Sequence, residues 1–241
     1  MARELLPLLL SRVPSGNRAL NAHRRLAAWD GAMARNRAEP LIFAAWLREL
    51  NRTLYADELG PRFPDLWYWQ PRFVTWVLTD GQLWCDDVTT AAPEDCASRI
   101  ELALEQALAS LERRFGDDME VWRWGEAHEL RFAHPVFRHV PLLDDLTAVE
   151  MATDGGHYTV NRGTPRFASE TRLFGHAHGA GLRAIFDLSD LDASRFMTAF
   201  GQSGNPLSPH YGDLTRPWRD GVYLRLPGGA QPHRLTLTPL Q

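Results

Sequence analysis

The hydrophobic pattern of the chain changes near residue 118, and this change restricts the folds that the sequence can adopt. Before it, apolar residues recur every three or four positions, which predicts amphipathic helices. After it, apolar runs are short and interrupted by glycine and proline, which predicts strands and loops. Because helices precede strands without β-α-β alternation, the sequence predicts an α+β fold. We expect residues 1–117 to be mainly helical and residues 118–241 to be mainly antiparallel strands and loops, without independent domains.

Local signals place the individual elements. Residues 20–29 have helical spacing and stop at Asp30–Gly31, Pro40 opens a stronger helix, and residues 93–115 form a third. Residues 1–10 predict the end of a further amphipathic helix; a signal peptide is the less favoured alternative, because the leucine run is short and contains a proline. The strand candidates are residues 158–161, 182–188, 195–200, 222–226 and 234–238.

Composition excludes several classes of function. All 26 basic residues are arginines, so Schiff-base, Walker-lysine and Ser–Lys chemistry are excluded. The net charge is -4 without a clustered basic face, so we expect no nucleic-acid partner. No stretch approaches the roughly 20 apolar residues of a membrane span, so we expect no membrane insertion.

The two cysteines, Cys85 and Cys96, are separated by turn-forming residues. This arrangement suits a local disulfide, and two free thiols in a cytosolic protein are the alternative. A disulfide implies an oxidising compartment, yet the sequence shows no signal peptide. We therefore expect a periplasmic or secreted protein whose export signal lies upstream of Met1 on a longer precursor.

Three sequence features suggest chemistry but have simpler explanations. Ser203 stands in a Gly-Gln-Ser-Gly run that resembles a nucleophile elbow, but the second glycine comes one residue early, so a tight loop is favoured. His157, His176 and His178 could bind a metal, but zinc motifs are missing, so loop or buried histidines are favoured. The aromatic residues between 67 and 84 could form a carbohydrate or substrate pocket, although core packing is favoured.

Six segments carry a further signal through their order along the chain. They are residues 29–31, 84–96, 122–135, 156–161, 179–188 and 201–223. Together they resemble the penicillin acylase family of N-terminal nucleophile hydrolases, in the C-terminal part of its larger (β) subunit. The signature positions within them are Trp124, Gly125, His128, Asn161, Arg183, Gln202, Ser203, Gly204, His210 and Tyr211.

The resemblance implies part of a four-layer αββα fold and a precursor that cuts itself into two subunits. The exposed N-terminal serine of the larger subunit then attacks an amide, with its own α-amino group as the base. Substrates in the family include β-lactam side-chain amides and N-acyl homoserine lactones. The implied partners are the N-terminal remainder of the precursor and an acylated small molecule. No cofactor is expected in this chain, and calcium is possible in a full-length member.

The family's nucleophile and oxyanion-stabilising asparagine lie upstream of the part that this chain matches. We therefore expect no catalytic residue among these 241 residues and an inactive isolated chain. Asp187 is the one candidate for a supporting role, because in some members an acidic residue on the matching strand orients a pocket histidine. The signature residues are expected to be mainly structural. Three hypotheses stay open: an amidase fragment, a split enzyme, and a non-catalytic module that binds small molecules.

Overall fold

The structure, a computed structural model, describes residues 1–66, 70–169 and 171–225. It divides into a first unit, Met1–Gly179, and a second unit, Ala180–Gln241. Most helices precede the strands, so the predicted mixed α+β class is confirmed. The expectation that the chain contains no independent domains stays a prediction. Within the described ranges, no helix is long and apolar enough to cross a bilayer.

The first unit contains eight helices and four strands among its described residues. The helices are α1 (Ala2–Leu9), α2 (Asn17–Ala27), α3 (Glu39–Leu59), α4 (Phe63–Leu66), α5 (Pro71–Thr79), α6 (Cys96–Phe115), α7 (Trp124–Ala127) and α8 (Pro141–Thr147). The strands are β1 (Glu129–Phe132), β2 (Val149–Ala152), β3 (Gly163–Pro165) and β4 (His176–Gly179). The helices predicted near the N-terminus, before Asp30, after Pro40 and before Gly116 are confirmed as α1, α2, α3 and α6.

Helix α3 forms the centre of the first unit. Every residue from Pro40 to Asn51 is buried, so this helix is enclosed on all sides rather than on one face. Helix α6 packs along it through apolar residues spaced by three and four, and Trp46 donates its indole N–H to the Ile100 carbonyl at 2.9 Å. Helix α6 begins at Cys96 because Asp95 caps it by accepting the Ser98 amide at 2.7 Å.

The predicted disulfide between Cys85 and Cys96 is present and joins a 3₁₀ helix to the start of α6. Arg99, one turn further along α6, is buried beside it. Its guanidinium donates to the Thr53 carbonyl at 2.7 Å and to the Asp87 carboxylate at 3.1 Å. The disulfide and Arg99 together fix the loop after Cys85 against α3.

The described aromatic residues between 70 and 84 pack on one another and on α3. Phe73 lies 5.3 Å from Tyr55 and 5.4 Å from Trp84, measured between ring centroids. Phe73 and Trp84 also contact the hydrophobic core. This packing agrees with a structural role for these two rings. Residues 67–69 of the same stretch lie outside the described residues.

The four strands of the first unit form one sheet in the order β2-β1-β4-β3. The prediction of antiparallel strands holds for β1 with β2 and for β3 with β4, but β1 and β4 are parallel. A long connection separates these two strands, and such a connection lets the chain re-enter the sheet in the same direction. The strand predicted at residues 158–161 is wrong, because this segment turns.

The second unit contains β5 (Leu182–Ile185), β6 (Arg195–Thr198), α9 (Thr215–Arg219) and β7 (Leu224–Arg225). The strands pair antiparallel in the order β5-β6-β7. Each lies inside a predicted strand segment, and β5 and β6 are shorter than predicted. The predicted strand at residues 234–238 lies outside the described residues.

Removing the disulfide should destabilise the chain. The two cysteines are 11 residues apart, and closing a loop of this size contributes about 3 kcal/mol through the entropy of the unfolded chain. We expect the Cys85→Ala/Cys96→Ala variant to lose about that free energy of unfolding, measured by urea denaturation. The oxidised and reduced parent proteins serve as controls, and an unchanged midpoint in the variant would contradict a stabilising role.

Candidate functional site

A stack of three buried rings lies where α7 meets the sheet of the first unit. The Trp124 and His128 ring centroids are 4.4 Å apart, and the His128 and His176 centroids are 4.8 Å apart. The interplanar angles are 15° and 12°. Trp124 begins α7, His128 follows that helix, and His176 begins β4. The site therefore unites two signature residues with a histidine considered above as a metal ligand.

The start of α7 is held by backbone contacts. The amides of Trp124 and Gly125 donate to the carbonyls of Arg37 and Arg35, each at 2.8 Å. A side chain at Gly125 would place its Cβ 2.8 Å from the Ala152 Cβ, so this signature glycine permits the close approach of α7 to β2. The Trp124 indole N–H donates to the Gly155 carbonyl at 3.0 Å.

Hydrogen bonds fix the protonation of both imidazoles. The Nδ1 atom of His128 lies 2.7 Å from the Phe174 carbonyl, which only accepts, so Nδ1 carries the proton. Thr153 donates its single hydroxyl hydrogen to the His128 carbonyl at 2.9 Å. The contact of 2.8 Å between Thr153 Oγ1 and His176 Nδ1 must then be donated by the imidazole. Both rings therefore carry a proton on Nδ1.

Burial keeps both histidines neutral well below their ordinary range. It lowers the pKa of His128 to about 3 and the pKa of His176 to about 4. The hydrogen bond to Phe174 opposes this change at His128 without overcoming it. Two stacked neutral rings suit a packing role, because a charge on either would be desolvated.

Two paired glycines make room for the rings. Gly163 of β3 lies opposite Gly179 of β4. A Cβ at Gly163 would lie 2.6 Å from His128 Nε2, and one at Gly179 would lie 2.6 Å from His176 Nε2. The rings thus occupy the space that side chains at these two positions would fill.

A cavity of about 200 Å³ lies beside Trp124 in the first unit. The described residues around it include Met33, Trp124, His157, Tyr158 and Pro165, and none of the described lining residues carries a carboxylate. Burial is the main cause that lowers the pKa of His157. The volume is below the roughly 300 Å³ of ordinary ligand pockets, so the cavity could hold only a small chemical group.

The signature turn at residues 156–161 forms one wall of this cavity. Its geometry depends on Gly155, whose φ is +95° and whose Cβ, if present, would lie 2.1 Å from the Asn161 carbonyl oxygen. Thr159 Oγ1 donates within the turn, with the Asn161 oxygen at 2.8 Å. Asn161 therefore contributes its main chain to the turn.

The signature loop around Ser203 is a close backbone crossing in the second unit. The Ser203 amide donates to the His210 carbonyl at 3.0 Å, and the Ser203 hydroxyl oxygen accepts the Asn205 amide at 3.1 Å. A Cβ at Gly201 would lie 2.1 Å from the His210 carbonyl oxygen. No histidine or carboxylate is bonded to the Ser203 hydroxyl in the part of the chain that the structure describes.

The other residues of this signature have separate positions. Gln202 and Gly204 are exposed, and the His210 imidazole is 3.1 Å from the Asp213 carboxylate at the surface. Tyr211 is buried and meets Phe200 edge-on at 4.9 Å. These contacts hold a loop together and do not assemble a nucleophile with a base.

Arg183 lies on β5 between two aromatic rings. Its guanidinium is 5.2 Å from the Trp218 ring centroid and 5.6 Å from the Tyr223 centroid, and it donates to the Trp218 carbonyl. The Trp218 indole donates to the Ala180 carbonyl at 2.9 Å. Arg183 thereby fastens α9 to the sheet of the second unit.

Asp187 lies in the loop after β5. Its carboxylate accepts the hydroxyl of Ser189 at 2.6 Å and the amides of Ser189 and Asp190 at 3.0 and 3.3 Å. These hydrogen bonds, led by that of the Ser189 hydroxyl, hold the pKa of Asp187 below its ordinary value. Its role in orienting a histidine stays a prediction.

The histidines considered as metal ligands differ in their surroundings. His176 is enclosed in the stack, whereas His178 is exposed on β4. Across residues 1–66, 70–169 and 171–225, no three histidine, cysteine or acidic side chains are grouped as metal ligands. The sequence does not predict the pairing of His128 with His176, although it contains the glycines at 163 and 179 that make room for the rings.

The fold of the chain resembles that of a penicillin acylase. A solved thermostable penicillin G acylase from Alcaligenes faecalis superposes with a TM-score of 0.52, covering 99% of this chain and 46% of that one at 17% identity. The sequence profile of the penicillin amidase family matches residues 1–233. The chain therefore belongs to the penicillin amidase family, which confirms the resemblance inferred from its motifs.

The chain spans less than a third of the length of the curated relatives that it matches. The acyl-homoserine lactone acylase QuiP of Pseudomonas syringae pv. syringae (strain B728a) is 30% identical over 92% of this chain and 29% of its own length. The QuiP of Pseudomonas aeruginosa PAO1 is 28% identical over the same shares. Penicillin acylase 2 proenzyme of Pseudomonas sp. (strain SE83) is 28% identical over 81% of this chain and 25% of its own length.

The buried histidines should make the fold sensitive to acid. Their folded-state pKa values lie below the unfolded value of about 6.5, so the unfolded chain binds more protons in acid. The contribution of the two neutral histidines to the stability of the folded state is complete above about pH 6.5 and is lost as the pH falls toward about 4. When the pH falls from about 7.5 to about 5.5, we expect each ring to lower the free energy of unfolding by about 1 kcal/mol, measured by urea denaturation.

Substitution should separate this effect from general acid denaturation. In the His128→Gln variant, the decrease in unfolding free energy between pH 7.5 and pH 5.5 should be smaller by about half of the histidine contribution, because one of the two titrating rings is absent. His210→Gln is the matched control, because that side chain is 72% exposed, and it should keep the parent's loss. An identical pH dependence in His128→Gln and the parent would contradict the assignment.

Enlarging Gly163 should disturb the stack. The Gly163→Ala methyl would meet His128, whose ring is held by the Phe174 carbonyl and cannot move away freely. We expect a loss of about 1–3 kcal/mol in unfolding free energy. Gly181→Ala is the control, because nothing lies within 4 Å of a Cβ at that position. Equal melting temperatures of the two variants would show that the space beneath the rings is not tight.

Proposed function

We propose that this chain is part of an amide hydrolase that removes an acyl group from an amine, such as an acyl homoserine lactone or a β-lactam. The observation that carries the proposal is the family match over residues 1–233. Relatives named acyl-homoserine lactone acylase and penicillin acylase support the same reaction class.

The catalytic serine is proposed to lie outside these 241 residues. In an N-terminal nucleophile mechanism, the serine Oγ attacks the amide carbon and its own α-amino group takes the proton, so both groups belong to one residue. Ser203 lacks such a base, because its oxygen accepts a backbone amide within a turn. The chain spans 29% of the P. syringae relative, which leaves ample sequence for the catalytic residues.

In this proposal the chain supplies the framework of the enzyme. The stacked rings of Trp124, His128 and His176 and the contacts of Arg183 hold the signature loops. The two sheets belong to a four-layer αββα fold. The likeness to the Alcaligenes acylase supports that architecture. The disulfide supports a periplasmic or secreted location, because oxidising compartments preserve such bonds.

A non-catalytic binding module is the second candidate. One observation favours it: the cavity beside Trp124 combines apolar walls with the His157 and Tyr158 side chains. Binding of a small acylated molecule by the isolated chain, without hydrolysis in any combination tested, would support this alternative.

The hydrolase proposal can be tested by complementation. Residues 1–241 would be co-produced with the part of the P. syringae relative that this chain does not match, and release of homoserine lactone from an N-acyl homoserine lactone would be measured. We expect each part alone to be inactive and the combination to be active. Hydrolysis by residues 1–241 alone would place the nucleophile in this chain, and an inactive assembled complex would contradict the proposed function.

A further inference from the structure

The cavity beside Trp124 has an apolar interior. Among its described walls, Ala44 of α3, Trp124 of α7 and Pro165 of β3 are buried, and Met33 adds a half-buried thioether. Gly156 makes room for this methionine, because a Cβ at that position would lie 3.2 Å from the Met33 Cε atom. Walls of this kind favour an apolar group that leaves water on binding.

The wall that reaches the protein surface is polar. Arg3 and Tyr158 are exposed and His157 is half-buried. Arg3 donates its Nε–H to the Asp30 carbonyl at 2.9 Å, and its two terminal nitrogens are not bonded to any residue that the structure describes. The Nδ1 atom of His157 is buried without a hydrogen-bond partner in the same ranges. Buried polar atoms are normally bonded, so this nitrogen suits a ligand.

Positive charge surrounds His157. Burial is the main cause that lowers its pKa, and the charges of Arg162 and His178 lower it further, so both side chains lie near the ring. Arg162 is exposed, and its Nε donates to the Thr164 hydroxyl at 3.3 Å. Because none of the described lining residues carries a carboxylate, the field at this cavity favours an anion.

Two acidic residues next to the cavity walls are paired with arginines. Asp30 is 3.3 Å from the Arg37 guanidinium, and Asp154 is 2.7 Å from that of Arg35. These ion pairs offset the two negative charges, so the positive charge of Arg3 is available to a bound anion.

We propose that this cavity binds a small monocarboxylate, with its carboxylate at Arg3 and His157 and its apolar or aromatic tail against Met33 and Trp124. The two oxygens of a carboxylate can accept parallel bonds from the two terminal nitrogens of one guanidinium. The volume of about 200 Å³ limits the tail to about one ring. The inference does not depend on the proposed hydrolysis, because it concerns binding by residues of this chain.

Two other classes of ligand match the cavity less well. Inorganic phosphate would meet the cationic wall but leave the apolar interior unfilled. A neutral amide of the same size would fill the interior but bring no charge to Arg3. The negative charge and the apolar tail are therefore both required, which separates this ligand from the neutral acylated molecule of the binding-module alternative.

Calorimetric titration of residues 1–241 tests the ligand class. The probe is benzoate, and benzamide and inorganic phosphate are the matched comparisons for its charge and its ring. We expect benzoate to bind with a Kd of about 1 mM or lower. Benzamide and phosphate should each bind at least about tenfold more weakly, because each lacks one of the two required features.

Substitutions test the position of the ligand. Arg3→Gln should weaken benzoate binding by about tenfold or more, because it removes a charge-assisted hydrogen bond. Arg24→Gln is the matched control at an exposed arginine of α2 that does not line the cavity, and it should bind like the parent. Ala44→Leu should abolish binding, because its side chain would occupy the space of the tail. Its melting temperature would show that it folds, and Arg3→Gln keeps the test decisive if it does not.

Three results would overturn the inference. The first is no binding of benzoate up to about 10 mM. The second is binding of benzamide or phosphate as tight as that of benzoate; equal binding of benzamide would favour the neutral ligand instead. The third is equal benzoate binding by Arg3→Gln and Arg24→Gln, or by folded Ala44→Leu and the parent, which would place the ligand elsewhere. None of these results bears on whether the assembled enzyme hydrolyses an amide.

Discussion

The complete burial of α3 is the constraint on which the first unit depends. A helix enclosed on every side needs neighbours all round, and α2, α6 and α7 are among those that contact it. The enclosure extends to polar residues, since Arg48 and Glu49 are 5% and 7% exposed. They form an ion pair, and Arg48 Nε donates to the Phe167 carbonyl at 3.2 Å. Such buried charges are tolerated because they are paired and hydrogen-bonded.

The ring stack connects this helical core to the sheet. Trp124 belongs to a helix that packs on α3, His176 begins a strand, and His128 lies between them. Thr153 ties both histidines together, because it bonds the main chain of one and the ring of the other. The signature residues of this region thus act through packing and hydrogen bonds within the fold.

Sequence predicted the helices better than the sheet of the first unit. Helix α6 follows from the spacing of Ile100, Leu104, Leu108 and Leu111, which is local information. Strands β1 to β4 are three or four residues long, too short for a clear alternation, and their pairing joins distant segments. The segment at 158–161 has strand-like composition, but the positive φ of Gly155 and the Thr159 hydrogen bonds turn it.

The candidate site was predictable only in part. The motifs marked Trp124, Gly125 and His128 as family positions and Cys85 with Cys96 as a disulfide. They did not place His176 against His128, because that contact depends on the parallel pairing of β1 with β4. Asp187 and Ser203 illustrate the opposite case: the sequence suggested chemistry, and local turn hydrogen bonds account for both side chains.

The space above Gly163 and Gly179 has an evolutionary consequence. A strand position that holds a neighbour's aromatic ring cannot gain a side chain while that ring stays in place. We therefore expect residues 128 and 163 to vary as a linked pair, because a larger residue at one is compatible only with a smaller one at the other. Among homologues this linkage would be visible as covariation between a loop and a strand, independent of which amide the enzyme cleaves.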